Sequence, residues 1–497
     1  MSQVEFVALI LAAVGPLLAL ARLLRVPDTL VLFGSGVAAA FVPGLPPVRI
    51  DPQLVLGLFL PPILYAATAR VSFHLLRFTL VSGVLLGAAL ALATIAAAAA
   101  AARFVLLPGL PWVAALLLGV VVAVFDTRLF HEAEGRPYVP RAVADALKAR
   151  EMVTRVVVLS CFSLALDALS AGPPAPVTAL GTVAYELVGG ALVGVALGRA
   201  MIRLRERIDP APVEIAVSIG TPYLAALAAA GLDLSIVVVI MTAALVISAG
   251  RVDRRTGAPR TSSEARISAM AFWEAASLVL SAVLFFLAGR ALPEAMRALE
   301  TWPVWWLVGA AAGLLAVVLG VQFVASLVAA MLPLPAEELG TRRRPRRAAV
   351  AGVMAWASTR SAIGLVIALS IPAALPDGRP FVERDLILVV AALAIVGSIL
   401  LQGLTLRAAV CRTGLGDTDE EQREEQAAER AMATARSDAA TGGRAMSGFH
   451  AQRRALLELR ARNRIGDEVL RKMLRGADLR QRATEESALP GAGPPNP

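Results

Sequence analysis

The stretch Val113-Ala114-Ala115-Leu116-Leu117-Leu118-Gly119-Val120-Val121-Val122-Ala123-Val124-Phe125-Asp126-Thr127-Arg128 decides the reading of this chain. An apolar run long enough to enter a bilayer meets an acid, a hydroxyl and an arginine before it can leave. Ionisable residues inside a span cost about 2.5–3.5 kcal/mol each on insertion scales, so each marks a functional position until another role is found for it. A second run, Ala351-Gly352-Val353-Met354-Ala355-Trp356-Ala357-Ser358-Thr359-Arg360-Ser361-Ala362-Ile363, is interrupted in the same manner. Broken helices at corresponding positions of two halves are the mark of membrane folds built from inverted repeats, with the site between the breaks.

The rest of the chain agrees with a polytopic membrane protein. Of 497 residues, 57% are hydrophobic and only 17% charged, with a mean hydropathy of +0.70. That composition excludes a soluble globular protein, a disordered chain, a fibrous repeat and a disulfide scaffold. A bilayer core of about 30 Å needs roughly 20 apolar helical residues. About thirteen such runs occur, near 4–24, 28–45, 51–69, 75–103, 110–130, 146–170, 175–200, 211–231, 232–249, 266–290, 303–333, 348–372 and 385–411. The first has no basic leader or small-residue cleavage site, so it reads as a span and not a signal peptide. If spans 1–6 and 8–13 are the repeats, the broken fifth and twelfth are counterparts.

Arginines cluster at 22–25, 70–77, 136–150, 199–207, 251–266 and 342–347, in every second loop. The intervening loops are nearly uncharged apart from Arg49, Arg290, Arg297, Arg379 and Arg384. The positive-inside rule makes the clustered loops cytoplasmic, with the N-terminus outside and the C-terminus inside. The domain division is therefore 1–412 in the membrane and 413–497 as a cytosolic helical regulatory tail. That tail carries fourteen acids and fourteen bases, so the formal charge of +9 belongs to the membrane part. It reads as helix broken at Thr441-Gly442-Gly443, with a disordered Pro/Gly end.

Inside the spans the ionisable candidates are Asp126, Arg150, Glu151, Arg155 and Arg360. Glu186, Glu214 and Glu274 lie nearer span ends and read as solvated or capped at the interface. Cys161 and Cys411 are far apart and His74, His131 and His450 are scattered, so no disulfide framework, metal site or cofactor is expected. No GxSxG, HExxH, P-loop or strand–helix GxGxxG occurs, and no enzyme is expected.

The motifs together resemble the monovalent cation/proton antiporters of the sodium/proton exchanger type. Leu60-Pro61-Pro62-Ile63-Leu64-Tyr65 resembles the family's third-span motif, and Gly119 through Phe162 fits its fifth and sixth spans without a gap. Arg360, twelve residues before Pro372, resembles the family's twelfth-span arginine. Gln402-Gly403-Leu404-Thr405, Thr221-Pro222-Tyr223-Leu224, Phe272-Trp273-Glu274 and the tail's Ile465-Gly466-Asp467-Glu468-Val469-Leu470 are similar to further family motifs. The resemblance implies a secondary transporter in an inner (plasma) membrane. It implies an all-α fold of about 13 helices whose spans 5 and 12 cross as broken helices. Its partners would be lipid, protons, a monovalent ion, a second copy of the chain and a cytosolic partner of the tail, with no nucleic acid.

At the ion-binding motifs the chain departs from the family. Where the family has Thr-Asp-Pro, it has Phe125-Asp126-Thr127. The family's Glu-Ser-Leu-x-Asn-Asp falls, ungapped, on Arg150-Glu151-Met152-Val153-Thr154-Arg155, which puts Arg155 at the ion-binding aspartate and Thr154 at its asparagine partner. Sliding by one residue places Val156 there instead, and neither register leaves a carboxylate. An arginine stays protonated and repels cations. At an effective dielectric near 20, like charges 4 Å apart repel by about 4 kcal/mol. Glu151 and Arg155 stand in the favourable i,i+4 order for an ion pair, while Asp126 is expected to accept from Arg150 or Arg360, and Arg150 to face Arg360. The transport core is thus Phe125, Asp126, Thr127, Arg150, Glu151, Thr154, Arg155 and Arg360. Three readings follow: a secondary transporter without the family's usual sodium/proton exchange, a transport-inactive sensor or scaffold speaking through its tail, and an anion-coupled carrier using Arg150 and Arg155.

Overall fold

The computed structural model describes residues 3–43, 45, 51–69, 73–127, 141–172, 176–207, 211–250, 263–331, 347–375, 378–413, 418–440, 445–462 and 464–487. Arg128, Pro140, the end of the Pro/Gly tail, the break at Thr441–Gly443 and most of the arginine clusters at 251–266 and 342–347 lie outside these residues.

Every apolar run is a helix or a broken helix. They are α1 (Gln3–Leu24), α2 (Asp28–Ala39), α3 (Pro52–Ala69, with a π turn at Val55–Phe59), α4 (Phe73–Ala101, running into a π turn at Ala102–Leu106) and α5 (Trp112–Ala123). After β1 (Phe125–Asp126) come α6 (Arg141–Ala171), α7 (Pro176–Arg205), α8 (Ala211–Ala230), α9 (Ile236–Ala249), α10 (Ser263–Ala298) and α11 (Val304–Met331). The second broken segment is α12 (Arg347–Trp356), β2 (Thr359–Arg360) and α13 (Ala362–Leu369), followed by α14 (Glu383–Thr413). Among the described residues, eight helices are long and apolar enough to cross a bilayer. Such helices satisfy their own backbone polar groups, as hydrocarbon demands.

The helices pack in two groups. α4, α5, α6 and α11–α14 surround the two short strands, while α1, α2 and α10 pack together and α3, α7, α8 and α9 form the other side. Small residues set the closest approaches. A Cβ on Gly36 of α2 would collide with the backbone carbonyl of Phe286, and one on Gly289 of α10 with that of Phe33, so only paired glycines let these helices touch.

The structure corrects three local expectations and keeps the boundary between the eighth and ninth runs. Arg290 and Arg297 belong to α10 and not to a loop; Leu292, Ala295 and Leu299 stay buried at helical spacing, so the helix propagates past the expected end and Arg290 is buried with it. The eighth and ninth runs part at a turn in which Asp233 has φ 50°. Glu186 and Glu214 are buried and not solvated, whereas Glu274 is exposed. The tail is three helices, α15 (Thr418–Ala440), α16 (Ala445–Ala461) and α17 (Asp467–Ser487), because Ile465, Val469 and Leu470 turn back onto Ala428, Met432 and Leu456 in a core of their own.

Candidate functional site: the crossing of the two broken helices

α5 stops at Ala123 and α12 at Trp356, and the extended residues that follow run antiparallel, pairing Phe125 with Arg360 and Asp126 with Thr359. The Thr359 hydroxyl donates to the Asp126 carbonyl at 2.9 Å. β-Branched Thr and Val residues favour extended backbone, and a break is tolerated here because residues 124–127 and 358–361 are buried in protein and do not face lipid. Ser361 caps α13, its Oγ accepting from the Ile363 amide at 3.1 Å. Gly364 brings α13 against α5: a Cβ there would lie 2.8 Å from the Val121 carbonyl oxygen.

Arg360 is 2% exposed and is spent on backbone. Its Nη1 donates to the carbonyls of Val122 (2.7 Å) and Ala123 (3.4 Å), and its Nη2 to that of Ser358 (2.6 Å). Its guanidinium also lies 5.9 Å from the Phe125 ring centroid. The last carbonyls of a helix carry roughly half a negative charge. Arg360 therefore answers the C-terminal end of α5 and, through Ser358, the backbone that follows α12. Ser398 of α14 accepts from the Arg360 amide at 3.0 Å and donates to Gln402, whose Nε2 donates to the Trp356 carbonyl at 2.9 Å.

α6 supplies the remaining charges, all buried. Arg155 is hydrogen-bonded to Glu151 one turn earlier, and its Nη2 is 3.8 Å from Oδ2 of Asp126. The other oxygen of Glu151 accepts from the Thr127 hydroxyl at 2.6 Å. Arg150 turns away to α11, where its Nη1 donates to Ser326 Oγ at 2.9 Å; its Nη2 and the Thr154 hydroxyl have no hydrogen-bond partner among the described residues. Two expectations are corrected by this geometry. The described ion pair of Asp126 is with Arg155 and not with Arg150 or Arg360. Arg150 does not face Arg360, because one donates to Ser326 of α11 and the other to the carbonyls of Val122, Ala123 and Ser358.

All eight residues singled out in the sequence are buried at or beside this crossing. Ser326, Ser398 and the carbonyls of Val122, Ala123 and Ser358 were not legible, since a lone serine in an apolar helix or a main-chain carbonyl leaves no pattern. Three other quoted motifs meet elsewhere: Tyr65 of α3 packs its ring 4.8 Å from that of Trp273, whose indole donates to Ser218 of α8, one turn before Pro222.

Residues 9–411 match the transmembrane sodium/hydrogen exchanger family. The chain belongs to that family. It is thus a multi-pass membrane protein of a family of cation/proton antiporters. Uncharacterized Na(+)/H(+) exchangers of Mycobacterium tuberculosis and Mycobacterium bovis are 29% identical over 401 residues, 77% of this chain and 69% of theirs. The Na(+)/H(+) antiporter NhaP of Pseudomonas aeruginosa is 28% identical over 278 residues, 56% of this chain and 61% of that protein. The fold is similar to that of the sodium proton antiporter MjNhaP1 of Methanocaldococcus jannaschii, with a TM-score of 0.64 at 15% identity over 83% of this chain and 99% of that one.

Proposed function

We propose that this exchanger-family member keeps the antiporter scaffold but holds a tethered guanidinium where the family cycles a cation and a proton, so that sodium/proton exchange is not its resting activity. The observation that carries this reading is the clamp of Glu151 and Asp126 on Arg155. Exchange needs a carboxylate for which cation and proton compete; here both nearby carboxylates face a charge that cannot leave. A free sodium ion must displace a guanidinium held by the same helix, which competes at the high effective concentration of an intramolecular ligand.

The way the cations are engaged supports this closed core over an anion site. Arg155 is held between Glu151 and Asp126, Arg150 turns away to Ser326 of α11, and Arg360 is taken up by the carbonyls of Val122, Ala123 and Ser358. The guanidinium nearest the two carboxylates is therefore already occupied. The same reading has the protein in an inner membrane with its N-terminus outside, its tail in the cytosol and a homodimeric assembly.

The test is dissipation of a pH gradient in proteoliposomes on adding sodium, lithium, potassium or chloride. The wild-type protein is expected to be silent to each. Arg155→Asp places a third carboxylate beside Glu151 and Asp126, where mutual repulsion favours uptake of a proton or a cation, and is expected to gain cation-dependent proton movement. Sodium or potassium exchange by the wild type would overturn the reading and pass the ion to Glu151 or Asp126. A chloride response abolished by Arg150→Gln would overturn it in favour of anion coupling.

A further inference from the structure

The cytosolic tail is not an appendage hanging from α14. Arg460, near the end of α16, places its Nη2 3.1 Å from Oδ2 of Asp145, and both side chains are largely shielded, 4% and 15% exposed. Asp145 lies on the first turns of α6, ten residues before Arg155, so about 15 Å separates the two along a helix rising 1.5 Å per residue. The helix that carries the site is thus gripped at its end by the tail.

The grip is built and not incidental. Arg460 also donates through Nη1 to the Ile465 carbonyl at 3.4 Å, and the amide of Gly466 donates to Glu424 Oε2 at 2.6 Å. The turn that opens the Ile465–Leu470 motif therefore fixes the direction in which Arg460 points. Arg453 of α16 forms a buried ion pair with Asp478 of α17, and α17 in turn packs on α10. A continuous path runs from α6 through α16 and α17 to α10. α10 is seated on α2 through Gly36 and Gly289, in the other packing group.

We propose that the tail is a strap that braces the site-bearing helix α6 against α10, with the Arg460–Asp145 pair as its fastening. Transporters of inverted-repeat build change access by moving one bundle against the other around the site. A strap between α6 and α10 opposes such movement at the cytosolic face and must open before it. A ligand or partner that draws Arg460 away would release α6. This inference does not depend on which ion, if any, the crossing moves.

The full-length protein in liposomes, with Cys411→Ser as background, leaves Cys161 on α6 as a native reporter, six residues beyond Arg155 and partly buried. Its labelling by a thiol reagent is followed together with hydrogen exchange over residues 141–150. Asp145→Asn and Arg460→Gln are each expected to raise both rates by at least about tenfold, the scale of losing a charge-assisted hydrogen bond. The double variant is expected to match either single one, because both remove the same contact. Lys472→Ala, which breaks a solvent-exposed pair with Glu425 in the same tail, is expected to leave both rates at wild type. Unchanged rates in the single variants, effects that multiply in the double, or an equal rise in Lys472→Ala would each overturn the strap. None of these readouts uses ion flux, so they stand apart from the proteoliposome result.

Discussion

Glu151 accepts from two donors at once, Arg155 on one oxygen and Thr127 on the other, and this makes it the centre of the crossing. Removing one member of a buried pair strands the other charge, which costs about 3–5 kcal/mol. Glu151→Gln is therefore expected to lower the thermal midpoint of the detergent-solubilised protein sharply, and Thr127→Val to lower it less, by the roughly 1.5–3 kcal/mol of a hydrogen bond to a charged group. An equal loss in the two variants would refute this ranking. The i,i+4 spacing made the Glu151–Arg155 pair legible from sequence. The Thr127 contact was not, because it joins residues on two different elements across the break, and no local spacing reports such a distance.

At the scale of elements, the crossing depends on two helices ending where Arg360 can reach both. Arg360 spans carbonyls of α5 and of the α12 break with a planar fork of donors; a lysine ammonium is a point charge without that reach. The approach itself rests on Gly364, whose absent side chain lets α13 lie on the Val121 carbonyl. Gly364→Ala is expected to push α13 from α5 and destabilise by about 1–3 kcal/mol, as overpacking does, read again as a lower thermal midpoint; an unchanged midpoint would show that the two helices part freely. The breaks at Asp126 and Arg360 were legible as polar residues interrupting apolar runs. The antiparallel pairing of Phe125 with Arg360 was not, and neither was the role of Gln402, quoted as part of a motif but serving to hold the end of α12.

At the scale of the whole molecule, the proposed topology has the end of α14 and the tail on the cytosolic side, as the alternation of arginine clusters leads one to expect. Cys411, exposed near the end of α14, is accordingly expected to react with a membrane-impermeant thiol reagent in inside-out vesicles and not in right-side-out ones. Labelling from the outside alone would reverse the topology. The three tail helices bury Ile465, Val469 and Leu470 among residues from α15 and α16, so the tail has a core of its own while remaining fastened to α6.

Composition and hydropathy alone determined that the chain is a multi-pass membrane protein, since nothing else hides so much apolar surface. The ordered motifs alone pointed to the exchanger family, and the two polar interruptions to its site. The partners of Arg150, Arg155 and Arg360 at the crossing were decided only by tertiary structure. The main-chain carbonyls that answer Arg360 appear in no count of side chains, so its partners left no trace in the sequence. The strap was likewise invisible, for Asp145 and Arg460 are more than three hundred positions apart and meet only because the tail folds back onto the helix that bears the site.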